Sequence, residues 1–73
     1  MAKDLIYYMN LPYHEQYDQC AEGGFVGSVR ELKGCITQGE TLDECKTNLL
    51  DAKICWLETE LENGHDIPEP QDG

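Results

Sequence analysis

The longest helix signal in the chain reads TLDECKTNLLDAKICWLETELENG, over residues 41–64. Thr41, followed three residues later by Glu44, forms a capping box, in which the threonine hydroxyl accepts a backbone N–H and the glutamate reaches back. Gly64 suits the left-handed backbone conformation that commonly ends a helix. These signals predict one long helix over residues 42–63.

Apolar residues form two stripes on this helix, because they recur at steps of three and four. The first stripe is predicted to cover a sheet and contains Leu42, Cys45, Leu49, Ala52 and Trp56. The second stripe contains Leu50, Ile54, Leu57 and Leu61, partly separated from the first by Lys46, Lys53 and Glu60. One sheet face cannot easily bury both, so the second stripe is predicted to be a homo-oligomer interface. The alternative is that these are ordinary apolar residues at the surface.

A third stripe of the helix is acidic and is predicted to face water. It contains Glu44, Asp51, Glu58 and Glu62. Such a face either keeps a protein in solution or binds a basic partner, and its residues are the candidate partner contacts.

The residues before the helix predict a β-meander over residues 13–39. Residues 13–17 alternate as a half-buried strand does, Gly23 and Gly24 permit a tight turn, and residues 25–30 and 35–38 supply two further strands. Residues 1–12 are predicted to be an N-terminal arm or short helix. Residues 65–73 form an extended acidic tail with a possible short edge strand, because Pro68 and Pro70 exclude a helix. The predicted fold is α+β, with order β-β-β-α, in a single domain over residues 1–73.

Composition narrows the possible functions. The chain has 73 residues and a formal net charge of −10, so it would repel nucleic acid. No signal peptide or membrane span is evident, which favours the cytoplasm and reduced thiols. The four cysteines, Cys20, Cys35, Cys45 and Cys55, lack the short spacing of a zinc site.

No catalytic constellation is evident, so the chain is predicted to be no enzyme. His14 and His65 lie in polar surroundings without a nucleophile beside them, and no phosphate-binding loop or dinucleotide fingerprint occurs. Catalytic, metal-binding and cofactor-binding residues are therefore not assigned.

Five segments together resemble the N-terminal domain of HicB-type antitoxins. They read LPY at 11–13, EGGF at 22–25, SVRELKGCITQGETLDEC at 28–45, NLLDAKICWLE at 48–58 and NGHDIPEP at 63–70. The resemblance implies a reduced ribonuclease H-like fold without its catalytic carboxylates. It also implies a partner, a small basic mRNA-cleaving toxin of the HicA type, whose RNA-binding and catalytic surface the antitoxin covers.

The chain departs from the family pattern in three places. Arg30 and Lys33 stand where relatives usually have prolines, and the sequence ends at Gly73, where many relatives continue into a DNA-binding domain. Operator binding is therefore not expected. Two alternatives remain open: an orphan oligomeric structural or regulatory module without a toxin, and a degenerate nuclease, which would need carboxylates converging on the sheet.

Overall fold

A computed structural model describes residues 3–70, and the chain forms a three-stranded antiparallel sheet with a long helix packed on it, an α+β arrangement. The elements follow in the order α1 (Leu5–Met9), β1 (Glu15–Gln19), β2 (Phe25–Val29), β3 (Ile36–Gly39) and α2 (Leu42–Asn63). The strands pair in sequence order, as expected of a meander. The predicted order β-β-β-α and the short N-terminal helix are confirmed.

The bounds of α2 agree with the prediction because both of its caps form. The Thr41 side chain accepts a hydrogen bond from the Glu44 N–H at 3.1 Å. Glu44 reaches back to the N–H of Glu40 at 3.2 Å. Gly64 ends the helix with φ of 68°, in the left-handed region that favours glycine.

Strand β1 begins two residues later than predicted. Tyr13, expected to begin the first strand, is buried before it and donates a hydrogen bond from its hydroxyl to the Pro68 carbonyl at 2.6 Å. That contact ties the first segment to the C-terminal tail, in which Ile67 is also buried. Residues 65–70 form neither a helix nor a strand, and residues 71–73 of the predicted tail lie outside the described residues.

Helix α2 lies very close to the sheet at Gly39, the last residue of β3. A Cβ atom on Gly39 would lie 2.5 Å from the backbone nitrogen of Cys45 and 2.8 Å from its Cα atom. Real Cβ atoms essentially never approach so closely, so glycine is needed here for space. The close approach lets the first turns of α2 pack directly on β3.

The core lies between the sheet and the two helices. Its fully buried members include Leu32, Leu49 and Leu57, and Cys45 is buried beside Gly27. Helix α1 packs against α2 and contributes Tyr8 to the same cluster. The core is therefore bounded by the sheet, α2, α1 and the tail.

Candidate protein-binding site

The acidic stripe of α2 faces solvent along its whole length. All four of its members, Glu44, Asp51, Glu58 and Glu62, are exposed, as the helical spacing predicted. Glu62 lies 18 residues after Glu44, so the stripe extends about 27 Å along the helix at 1.5 Å per residue. Within residues 3–70, no ion pair involves any of these four carboxylates.

The C-terminal end of α2 is electrostatically unfavourable. A helix carries partial negative charge at its C-terminus, where basic side chains are stabilising and acidic ones are not. The last turn of α2 contains no basic residue, while Glu60 and Glu62 lie within it. His65 offers partial compensation, since its Nδ1 lies 2.6 Å from Glu60 Oε2. Glu58 and Glu62 have no such contact within the described part of the chain.

The four residues of the second apolar stripe do not form one exposed surface, and the predicted oligomer interface must be corrected at Leu57. Leu57 is fully buried in the core, at 0% exposure, so it cannot contact another protein without unfolding. Leu50 is 48% exposed, while Ile54 and Leu61 are half-buried. Of the four residues in this stripe, only these three can contribute to an interface.

Lys53 explains why the stripe was misassigned. The sequence pattern places Lys53 as a polar separator between the two stripes, yet its side chain is only 6% exposed. Its apolar stem lies in the core between the positions of Leu49 and Leu57, because long basic side chains can bury their methylene groups. The buried face of α2 therefore turns farther around the helix than the apolar residues alone indicate.

The Lys53 ammonium group enters a polar cluster that was not predicted. It contacts Glu15 Oε2 at 3.4 Å and lies 5.5 Å from the centroid of the Tyr13 ring, within cation–π range. Glu15 Oε1 also accepts a hydrogen bond from the Tyr17 hydroxyl at 2.9 Å. Burial raises the pKa of Tyr13 to about 12, and burial together with the Glu15 bond raises the pKa of Tyr17 to about 12. Both phenols thus stay protonated at neutral pH, and the cluster joins α2 to β1.

The two histidines form carboxylate contacts far apart on the chain. The His14 ring and backbone both contact Glu31, and although partial burial opposes ionisation of Glu31, these hydrogen bonds hold its pKa below the ordinary value. His65 contacts Glu60 as described above. Within residues 3–70, no group of three or more His, Cys, Asp or Glu side chains could hold a metal ion. None of the described helices is long and apolar enough to cross a membrane.

The four cysteines are free thiols in different surroundings. Cys35 and Cys45 are buried, Cys20 is half-buried and Cys55 is exposed. Burial raises the pKa of the Cys35 thiol, and the thiolate is the reactive form. The thiols should therefore differ in reactivity.

We predict four reduced, metal-free thiols, with Cys55 reacting first and the buried pair reacting only on unfolding. Titration with an aromatic disulfide reagent, before and after denaturation, together with elemental analysis of fresh protein, checks this. Stoichiometric zinc, or fewer than four thiols under reducing conditions, would contradict it.

Comparison with known proteins gives one consistent result. The profile of a family described as UPF0150-like matches residues 13–68, which include all three strands and α2. The UPF0150 protein ssl0259 of Synechocystis sp. strain PCC 6803 is 47% identical over 49 residues, which are 67% of each chain. The UPF0150 protein ssr1258 of the same strain is 42% identical over 43 residues, 58% of this chain and 62% of its own length. The chain described here belongs to the UPF0150-like family.

Proposed function

We propose that this chain is a HicB-like antitoxin of the cytoplasm that neutralises a small, basic, mRNA-cleaving toxin of the HicA type by binding and not by catalysis. The observation that carries the proposal is the exposed acidic stripe of α2, defined above by Glu44, Asp51, Glu58 and Glu62. The family segments identified in the sequence support the choice of partner.

The charge argument comes first. A toxin that cleaves mRNA needs a basic surface to hold phosphate groups, and a row of carboxylates can compete for that surface. Carboxylates at the C-terminal end of a helix are unfavourable in the free protein, and a cationic partner would relieve that cost. The position of Glu62 in the last turn thus favours a role in binding over a role in stability.

Charge alone would give binding that salt abolishes, so a tight complex also needs a desolvated centre. Leu50 directly precedes Asp51 and is exposed, and Ile54 lies three residues after Asp51 and is half-buried. We assign them to this centre or to self-association of the chain. Leu61, also half-buried, belongs to the same helix surface, and Leu57 is excluded by its burial.

We further propose that the sheet and α2 are a reduced ribonuclease H-like unit. The antiparallel order β1-β2-β3 followed by a helix supports the relationship. The absence of a catalytic role is part of the same proposal.

The test is co-expression with the cognate toxin, followed by a growth assay and a pull-down. The chain should form a stable complex, restore growth and protect mRNA. The double variant Asp51→Lys with Glu58→Lys, which reverses both charges, should lower the association rate constant for the toxin by about tenfold. Electrostatic steering of the toxin depends on these charges.

The matched control carries the same charge change away from α2, as Asp18→Lys with Glu22→Lys, at exposed positions in β1 and in the β1–β2 turn. The control should bind nearly as fast as the native chain, since only local charges steer docking within a Debye length. Equal slowing in both variants would assign the effect to net charge and not to the acidic stripe. If the folded native chain fails to bind or silence the toxin, the protein is better described as an orphan oligomeric module.

A further inference from the structure

Strand β1 presents an open sheet edge. The Arg30 N–H donates to the His14 carbonyl at 2.8 Å, and the Cys20 N–H donates to the Gly24 carbonyl at 2.9 Å, so His14 and Cys20 face β2. Backbone groups alternate in direction along an antiparallel strand. The N–H and C=O groups of Glu15, Tyr17 and Gln19 therefore point away from the sheet.

The opposite edge differs because α2 covers part of it. The Asn48 side chain donates to the Gln38 carbonyl of β3 at 2.8 Å, which occupies an outward acceptor. On β1, by contrast, four of the five residues are exposed and only Tyr17 is half-buried. An edge with unpaired backbone groups is a template for pairing with another strand. Of the two edges, β1 is the more accessible one.

We propose that β1 pairs antiparallel with β1 of a second copy, about a two-fold axis at Tyr17, to give a continuous six-stranded sheet. The strand sequence EQYDQ complements itself in this register. Glu15 lies opposite Gln19 of the second copy, and Gln16 lies opposite Asp18. Each carboxylate thus faces an amide that can donate a hydrogen bond, and no like charges are opposed.

Neighbouring registers are less favourable. A shifted register preserves the hydrogen-bond pattern only if the residues whose backbone groups point away from β2 still lie opposite one another. One such shift places Asp18 directly opposite Asp18 of the second copy, and like charges in that position are destabilising. The opposite shift pairs Gln19 with Tyr13, which precedes the strand and is buried. The register centred on Tyr17 alone uses all five strand residues without opposing like charges.

The dependence on salt concentration distinguishes this self-pairing from toxin binding. Each copy has a formal charge of −10, so two copies repel, and added salt should strengthen their association. Binding of a basic toxin should weaken under the same change. The edge pairing is independent of the proposed function, and either can fail alone.

The experiment is sedimentation equilibrium of the full chain at about 50 mM and about 500 mM NaCl, which brackets strong and weak screening. We expect reversible dimers, tighter at the higher salt. Gln19→Glu places a second carboxylate opposite Glu15 of the other copy, at both symmetry-related positions, and should raise the dimer Kd by about tenfold. Gln19→Lys places a positive charge opposite Glu15 and should lower the Kd. Gln38→Glu and Gln38→Lys, at an exposed residue of the opposite edge strand β3, make the same charge changes and should leave the Kd nearly unchanged.

Amide hydrogen exchange locates the contact. The N–H groups of Tyr17 and Gln19 should become protected as concentration rises, and those of Ile36 should not. A chain that is monomeric at every concentration and salt overturns the proposal. It also fails if Ile54→Lys dissociates the dimer while Gln19→Glu does not, because the copies would then meet through α2.

Discussion

Replacement of Gly39 by alanine is expected to destabilise the fold by about 3 kcal/mol or more, because an added methyl group has no room between β3 and α2. The obstructing atoms are the backbone of Cys45, at 2.5 and 2.8 Å from the new Cβ, and backbone cannot move aside as a flexible side chain can. Stabilities near 0.05–0.15 kcal/mol per residue imply about 4–11 kcal/mol for a chain of this length. The variant should therefore be largely unfolded at moderate urea concentrations.

The matched control is Gly23→Ala in the β1–β2 turn. Gly23 has a φ of 104°, but no atom lies within 4 Å of its ideal Cβ position. Its replacement should cost only about 1–2 kcal/mol, from backbone strain. Urea unfolding followed by circular dichroism measures both variants. Equal losses would show that the packing of α2 on Gly39 is not the dominant constraint.

Truncation of Leu57 to alanine is expected to cost about 2–5 kcal/mol, as is typical of a fully buried leucine that leaves a cavity. The same truncation at Leu50, which is 48% exposed, should cost less than about 1 kcal/mol. The two residues were assigned to the same stripe from sequence. Their unfolding free energies therefore test whether the buried face of α2 includes Leu57.

Self-association is a possible confounder in that comparison, so both variants should be measured at several protein concentrations. A large, concentration-dependent loss for Leu50→Ala would indicate that Leu50 is buried between copies. A loss below about 1 kcal/mol for Leu57→Ala would contradict the core described here.

The sequence predicted α2 well because its boundaries depend on local chemistry. The hydroxyl of Thr41 and the conformational freedom of Gly64 act within one turn of the helix, and both caps form where expected. The strand order also followed from local turns. The start of β1 did not follow from local turns. The Tyr13 hydroxyl donates a hydrogen bond to the Pro68 carbonyl, and these residues are 55 positions apart in the sequence.

The acidic stripe could be predicted from spacing, since exposure of charged residues on one helix face is the ordinary outcome. The polar cluster around Lys53 could not be predicted in this way. Its burial depends on Glu15 and Tyr13, which reach α2 only after the chain folds. Lys53 lies four residues after Leu49 and four before Leu57, both apolar. A basic residue at such a position in an apolar series is the one local signal that could have indicated a buried methylene chain.

Trp56 gives this protein a built-in optical probe. It is the sole tryptophan of the chain, and its indole N–H donates to the Lys33 carbonyl at 3.0 Å, across the junction between α2 and the turn before β3. Separation of the helix from the sheet would expose the indole to water and shift its fluorescence emission to longer wavelength. Loss of helical ellipticity reports a different event, the unwinding of α2 itself. Recording both signals during unfolding distinguishes undocking of the helix from its melting, without any added label.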